Sequence, residues 1–97
     1  MSAIDILIDE FPGENTWLKF LSVFNTSWAD FKDNEKFAKQ IGNEEIAVVL
    51  HAKMGTAAIQ WMQQPIGALD RQSARQVLTT HPLGEMAIKS LIMRMPV

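Results

Sequence analysis

The sequence predicts an all-α protein, a small compact bundle of about five to six helices. Apolar residues recur at helical spacing through most of the chain, and signals for helix starts and ends lie between these repeats. Of the 97 residues, 47% are hydrophobic and 21% are charged, which is typical of a globular chain rather than a disordered one. We expect residues 1–97 to form one domain, in which amino-terminal helices cover 1–42 and a second region covers 43–97.

Two apolar patterns predict the first helices. Ile4, Leu7, Ile8 and Phe11 follow helical spacing, although the alternation of Ile4, Ile6 and Ile8 also fits a strand. The pair Pro12-Gly13 then indicates a turn. Asn15 or Thr16 can cap a second helix, and we expect this helix to bury one aromatic-rich stripe: Trp17, Phe20, Leu21, Phe24, Trp28 and Phe31.

Capping residues divide the centre of the chain. Asp33 or Asn34 can begin a helix that carries Phe37 and Ile41, and Gly42 can end it in the left-handed conformation. Asn43 can cap the next helix, whose apolar positions repeat every three to four residues from Ile46 to Lys53. Gly55 interrupts that helix, residues 56–62 continue in helix, and residues 63–69 form a loop.

The carboxyl-terminal region contains two further predicted helices. Ser73 and Gln76 match a capping box, and a short helix follows until His81-Pro82. The last helix is expected from Leu83 or Gly84 to Met95, with a surface ion pair between Glu85 and Lys89. Its buried face is predicted to consist of Ala87, Ile88, Leu91, Ile92 and Met95.

Composition excludes several classes of function. The chain has no cysteine, which excludes disulfides and thiolate chemistry, and we expect a cytoplasmic location. The start lacks a basic segment and no long apolar run follows, so we expect neither a signal peptide nor membrane insertion. Residues 1–50 carry 4 basic and 9 acidic residues (−5), whereas residues 51–97 carry 5 and 2 (+3). Because the acidic half repels phosphate, we do not expect nucleic acid binding.

The residues do not predict an enzyme. The two histidines, His51 and His81, are thirty positions apart and neither has a carboxylate neighbour in sequence, so we expect structural roles for both. The five glycines stand singly, which excludes phosphate-binding loops and dinucleotide fingerprints. We therefore expect no catalytic residues, no metal site and no cofactor.

The last helix is apolar on two sides. Met86, Ser90, Met93 and Val97 lie opposite its isoleucine and leucine face, and Arg94 lies beside them. Adaptable methionines near a basic residue are typical of a protein-contact surface. A helix buried on both faces inside a small bundle would show the same pattern, and the sequence does not separate the two.

Residues 58–95 contain a series of motif positions, in this order: Ala58, Trp61-Met62, Pro65, Ala68-Leu69, Ser73, Val77-Leu78, Gly84, Leu91-Ile92 and Arg94-Met95. This pattern resembles the toxin-binding domain of Xre/MbcA/ParS-type antitoxins. That family has an Ala-x-x-Trp-Leu helix end, a proline-led loop, a Leu-Gly-Gly-x-Ser-Pro turn, a short helix, and a glycine that opens a final helix ending in Leu-Leu-x-Arg-Ile. Asp70-Arg71 and Ala74 stand where the family has its two glycines and its proline. The resemblance implies scaffold roles for Trp61, Ser73 and Gly84.

The resemblance also implies a function. Residues 43–97 would be an antitoxin-like region that captures a toxin, commonly a RES-domain enzyme that consumes or transfers parts of NAD, and the carboxyl-terminal end would occupy the toxin's active-site cleft. We therefore expect an antitoxin or immunity protein, with a cognate toxin or effector as partner. Its predicted partner-binding residues are Met86, Lys89, Ser90, Met93, Arg94, Met95, Pro96 and Val97.

Two other functions stay open from the sequence. Family antitoxins usually carry an amino-terminal helix-turn-helix, but the 57 residues before the match are acidic on balance and contain no convincing recognition helix. A small DNA-binding regulator of a toxin–antitoxin operon is the first alternative. A small-molecule binding protein or enzyme that uses His51 and the Trp61 region is the second. A homodimer formed through the aromatic helix is also left open.

Overall fold

Helices form nearly all the regular structure of the chain. A computed structural model describes residues 2–95, and it confirms the all-α prediction. The helices, labelled in chain order, are α1 (Ala3–Asp9), α2 (Glu14–Ser22), α3 (Asn25–Asp30), α4 (Asn34–Ile41), α5 (Glu44–Met54), α6 (Ala58–Trp61), α7 (Ala74–Thr80) and α8 (Gly84–Arg94). Strands β1 (Pro65–Ile66) and β2 (Gln72–Ser73) pair antiparallel, with Pro65 opposite Ser73.

The aromatic-rich segment is two helices rather than the one predicted. At the end of α2, the amides of Val23 and Phe24 bond to carbonyls only three residues back, which tightens the backbone and ends the helix. The change of direction separates the aromatic residues. Only Trp17 of the predicted stripe is fully buried, whereas Trp28 and Phe31 pack beside His51.

Three of the predicted capping residues define helix ends, whereas the prediction that Asn15 or Thr16 caps α2 is wrong, because α2 begins at Glu14. The Asn43 side chain accepts a hydrogen bond from the amide of Ile46 at 3.0 Å, as expected for the start of α5. Ser73 and Gln76 form the predicted capping box at the start of α7. Gly42 ends α4 in the left-handed conformation, with φ 94°. The local signals therefore place these boundaries correctly.

Helix α5 lies at the centre of the core. Ile46, Ala47, Val49 and Leu50 are all fully buried, and a helix that is apolar on every side is buried by its neighbours. The same apolar cluster includes residues of α1, α2, α4, α7 and α8. The two halves of the chain therefore share one core.

The β1–β2 hairpin holds the amino terminus of α1. Asp70 and Arg71 lie in its turn with φ of 56° and 66°, values that residues other than glycine rarely adopt. The Asp70 carboxylate accepts hydrogen bonds from the amides of Ala3 at 3.1 Å and Ile4 at 3.5 Å. A carboxylate at this position satisfies free helix donors and interacts favourably with the helix dipole. The sequence-based prediction of a plain loop over 63–69 did not include this contact.

Gly84 lies where α7 and α8 meet. A Cβ atom at Gly84 would lie 2.0 Å from the carbonyl oxygen of Val77, which is backbone and cannot rotate away. A glycine at this position therefore allows α7 and α8 to approach closely.

Within residues 2–95, no helix is long and apolar enough to cross a membrane.

We predict that Gly84→Ala destabilises the protein by about 1–3 kcal/mol, because the added methyl group forces α7 and α8 apart. Thermal unfolding followed by circular dichroism measures the loss. Gly67→Ala is the matched control, since a Cβ at Gly67 meets no atom within 4 Å. Equal melting temperatures for the two variants would contradict the close contact.

We predict opposite effects for two glycine substitutions in the hairpin turn. Arg71→Gly places glycine, which adopts positive φ without strain, in the left-handed backbone conformation of residue 71. The free energy of unfolding should therefore stay unchanged or rise by up to about 1 kcal/mol. Asp70→Gly also removes the carboxylate that accepts from the amides of Ala3 and Ile4 and should lower stability by about 1 kcal/mol. Urea unfolding measures both changes. A larger loss for Arg71→Gly than for Asp70→Gly would refute this assignment.

Candidate protein-binding surface

The predicted contact residues of α8 fall into two groups. Lys89 and Ser90 are 4% and 2% exposed, so the prediction that they belong to an open contact face is wrong. Helix α8 packs against α1, α5 and α7, and Lys89 contacts Trp17 of α2 and Glu45 of α5. Met86, Met93 and Met95 are half-buried, and Arg94 is exposed. The remaining predicted residues, Pro96 and Val97, lie outside the described residues.

Lys89 is a buried cation at the centre of an ionic cluster. Its ammonium nitrogen lies 3.3 Å from a Glu14 carboxylate oxygen, 3.2 Å from Glu45 and 3.0 Å from Glu85. It also lies 5.1 Å from the centroid of the Trp17 ring, whose indole N–H donates to Glu45 at 2.8 Å. The predicted Glu85–Lys89 pair therefore exists, but it is one side of a cluster that joins α2, α5 and α8, not an isolated surface pair.

Ionic contacts shift the pKa values of this cluster. Burial alone would lower the pKa of Lys89, but hydrogen bonds with Glu85, Glu45 and Glu14 together raise it above its ordinary value of 10.5. The hydrogen bond with Lys89 lowers the pKa of Glu85 below 4.5 despite partial burial. Both groups are therefore charged at neutral pH.

The carboxyl-terminal end of α8 is attached to two other elements. The guanidinium of Arg94 pairs with the carboxylate of Glu10, which follows α1. The ammonium of Lys53, in α5, donates to the carbonyl oxygen of Met95, and burial lowers the pKa of Lys53. Arg94 nevertheless keeps half of its side chain exposed, at 50%. This end of the helix is therefore held in place by α5 and by the residue that follows α1, and the Arg94 side chain is still accessible to a partner.

The three predicted scaffold residues lie beside the core. Ser73 is buried and caps α7, and Gly84 is buried at the contact between α7 and α8. Trp61 is only half-buried, and the next residue, Met62, is fully buried instead. Trp17 is the fully buried tryptophan of the core. The expected anchoring role of Trp61 is therefore shared with Met62 rather than carried by Trp61 alone.

The histidines have structural surroundings. The His51 ring stacks on Phe31 with centroids 4.0 Å apart and planes 7° apart. Its Nδ1 atom is buried and has no hydrogen-bond partner among the described residues. His81 Nδ1 accepts a hydrogen bond from the amide of Leu83 at 3.0 Å, just before α8. Neither histidine lies beside a carboxylate in these contacts.

Surface grooves are candidate sites for the small-molecule binding protein or enzyme that the sequence left open. Three grooves on the described surface are lined by other residues, and neither His51 nor Trp61 lines any of the three. Within residues 2–95, no group of three or more histidine and carboxylate side chains could hold a metal ion. One of the three grooves lies at the start of α8, where Leu83, Glu85 and Met86 line it.

Several residues of this surface have no signal in the sequence. Glu10, Glu14 and Lys53 contact α8 across large separations in the chain, up to 84 positions for Glu10 and Arg94. Helical spacing identifies neighbours within one helix only. Their contacts are known from the structure alone.

Comparison with protein-family models, with curated proteins and with solved structures found no significant match for this chain.

We predict that Lys89→Met lowers stability by about 1–3 kcal/mol at pH 7, because three carboxylates lose their shared cation. The contribution of Glu85 is present above its ordinary pKa and is lost as pH falls through its lowered value. The contribution of Lys89 to stability is present below pH 10.5 and is lost as pH rises through the raised pKa of Lys89.

The difference between the wild type and Lys89→Met should therefore be largest near neutral pH and shrink in acid. Urea unfolding at pH 3 and pH 7 measures it, and Lys36→Met, at an exposed lysine of α4, is the control. A difference that stays constant between the two pH values would show that packing rather than charge explains the loss.

Proposed function

We propose that this chain is an antitoxin or immunity protein that binds and neutralises a cognate toxin by occluding its active-site cleft. The observation that carries the proposal is the accessible, positioned arginine at the end of α8. Arg94 is 50% exposed, and half-buried methionines lie on both sides of it in the chain. Arginine and methionine are enriched at protein interfaces.

Backbone geometry in the hairpin turn supports the antitoxin resemblance. The family carries glycines at two positions that are Asp70 and Arg71 here, and both have positive φ, the conformation that glycine adopts without cost. The family's proline corresponds to Ala74, the first residue of α7 after its Ser73 cap, where proline is favoured. The departures from the motif are therefore compatible with the same backbone.

The chemistry of Arg94 fits occlusion of an enzyme cleft. A guanidinium presents a rigid fork of donors that pairs with a carboxylate through two hydrogen bonds. In the free chain this fork is occupied by Glu10. We propose that an acidic group in the toxin's cleft replaces Glu10, so that Arg94 and the flanking methionines cover the substrate entrance.

The proposed toxin is a RES-like enzyme that consumes or transfers parts of NAD. This identity comes from the family resemblance. We propose that the present chain, unlike the toxin, is not an enzyme and holds no cofactor. We place it in the cytoplasm, since the chain has no cysteine and so needs no oxidising compartment.

A tagged pull-down from the native cell tests the proposal. The recovered protein is identified by mass spectrometry, expressed alone to measure toxicity, and then expressed with this chain. Rescue of growth and loss of NAD consumption are expected. Recovery of operator DNA, with binding that weakens steeply as salt rises, would favour a transcriptional regulator instead.

We predict that Arg94→Gln weakens toxin binding at least about tenfold and abolishes rescue, because a central arginine is a frequent hot spot. Glu10→Gln is the matched variant, since it breaks the same ion pair but leaves the arginine free. It should bind as tightly as the wild type or more tightly. Equal losses in the two variants would mean that the ion pair acts only on the fold.

A further inference from the structure

A groove opens beside the amino-terminal end of α8. It lies between the residues that follow α1 and the turn between α7 and α8, and it encloses about 270 Å³. Its apolar lining consists of Phe11, Pro82, Leu83 and Met86. Leu83 keeps 48% of its surface open, and Met86, which lines the same groove, is half-buried. The groove therefore offers apolar surface to a partner.

The charges at this groove are acidic where a partner can reach them. Glu14 and Glu85 line the groove with side chains that are 58% and 52% exposed. Lys89 also lines it, but its side chain is 5% exposed and is shared by three carboxylates. The three charged residues that line the groove sum to −1, from two glutamates and one lysine. An approaching group therefore meets negative charge.

The dimensions favour one long side chain. Sites for drug-sized ligands usually enclose about 300–1,000 Å³, and this groove is smaller. Arginine combines an aliphatic stem, which can lie on Leu83 and Met86, with a guanidinium that can pair with the two exposed carboxylates. A neighbouring apolar residue would cover Phe11. The apolar lining and the acidic charge of the groove therefore both favour an arginine side chain.

We infer that this groove binds an arginine side chain, with an adjacent apolar residue, presented by a protein partner. The inference rests on the proposed function for the partner's identity, and it adds a second contact about two to three helical turns from Arg94. Glu10, which pairs with Arg94, precedes Phe11 of the groove directly in sequence. One partner could therefore contact both places.

An NMR titration of the full ¹⁵N-labelled chain tests the groove without the toxin. The probe is acetyl-Leu-Arg-Leu-amide, and the control peptide has citrulline, which is neutral and nearly the same shape, in place of arginine. Binding in the millimolar range is expected. The arginine peptide should shift the amides of Phe11, Glu14 and residues 83–86, and added salt should weaken the effect.

Glutamine variants separate charge from shape. Glu14→Gln and Glu85→Gln should each weaken binding of the arginine peptide about threefold, the size typical of exposed ion pairs. Glu35→Gln, at an exposed position of α4, should leave binding unchanged. Thermal unfolding of each variant checks that the fold is kept.

Three results would overturn the inference. These are equal binding of the arginine and citrulline peptides, no shifts at millimolar peptide, or shifts confined to other surfaces. Concentration-dependent shifts at the same amides without peptide would instead identify a second copy of the chain as the occupant. If the arginine peptide binds here but no toxin is neutralised, the groove stands and the proposed function fails.

Discussion

The ionic cluster around Lys89 is the constraint on which the rest of the structure depends. A buried ammonium is tolerated only when it is paired, and here the partners come from α2, α5 and α8. The cluster therefore fixes the position of α8 against the core. Its pairs Glu14–Lys89 and Glu45–Lys89 join the acidic half of the chain to the basic half. The pair between Glu10 and Arg94 joins the halves in the same way.

Local chemistry made much of the fold predictable. Asn43, Ser73 and Gly42 satisfy backbone groups within a few residues, so their roles can be recognised from sequence spacing. Other features depend on contacts between distant segments. The break between α2 and α3 occurs inside an uninterrupted apolar pattern, and Asp70, which accepts a hydrogen bond from the first amide of α1, lies 67 positions from Ala3. Helical periodicity carries no signal for either feature.

The candidate surface was predictable only in part. Sequence spacing identified the methionine side of α8 and Arg94, but it did not distinguish an open face from a second buried one. The structure shows both kinds of surface: Lys89 and Ser90, in the middle of α8, are buried, whereas Met86 is half-buried and Arg94 is exposed. Two accessible places remain, one at each end of the helix. They differ in charge, since Arg94 offers a cation and the groove beside Met86 offers carboxylates.

Binding through α8 is the central claim of this account. Hydrogen–deuterium exchange of the chain, alone and with the toxin that it neutralises, tests it most directly. We expect added protection at residues 83–86 and 91–95, because a bound toxin excludes water from both ends of α8. Protection confined to α2, α3 and α4, with the carboxyl-terminal end of α8 unchanged, would contradict the claim.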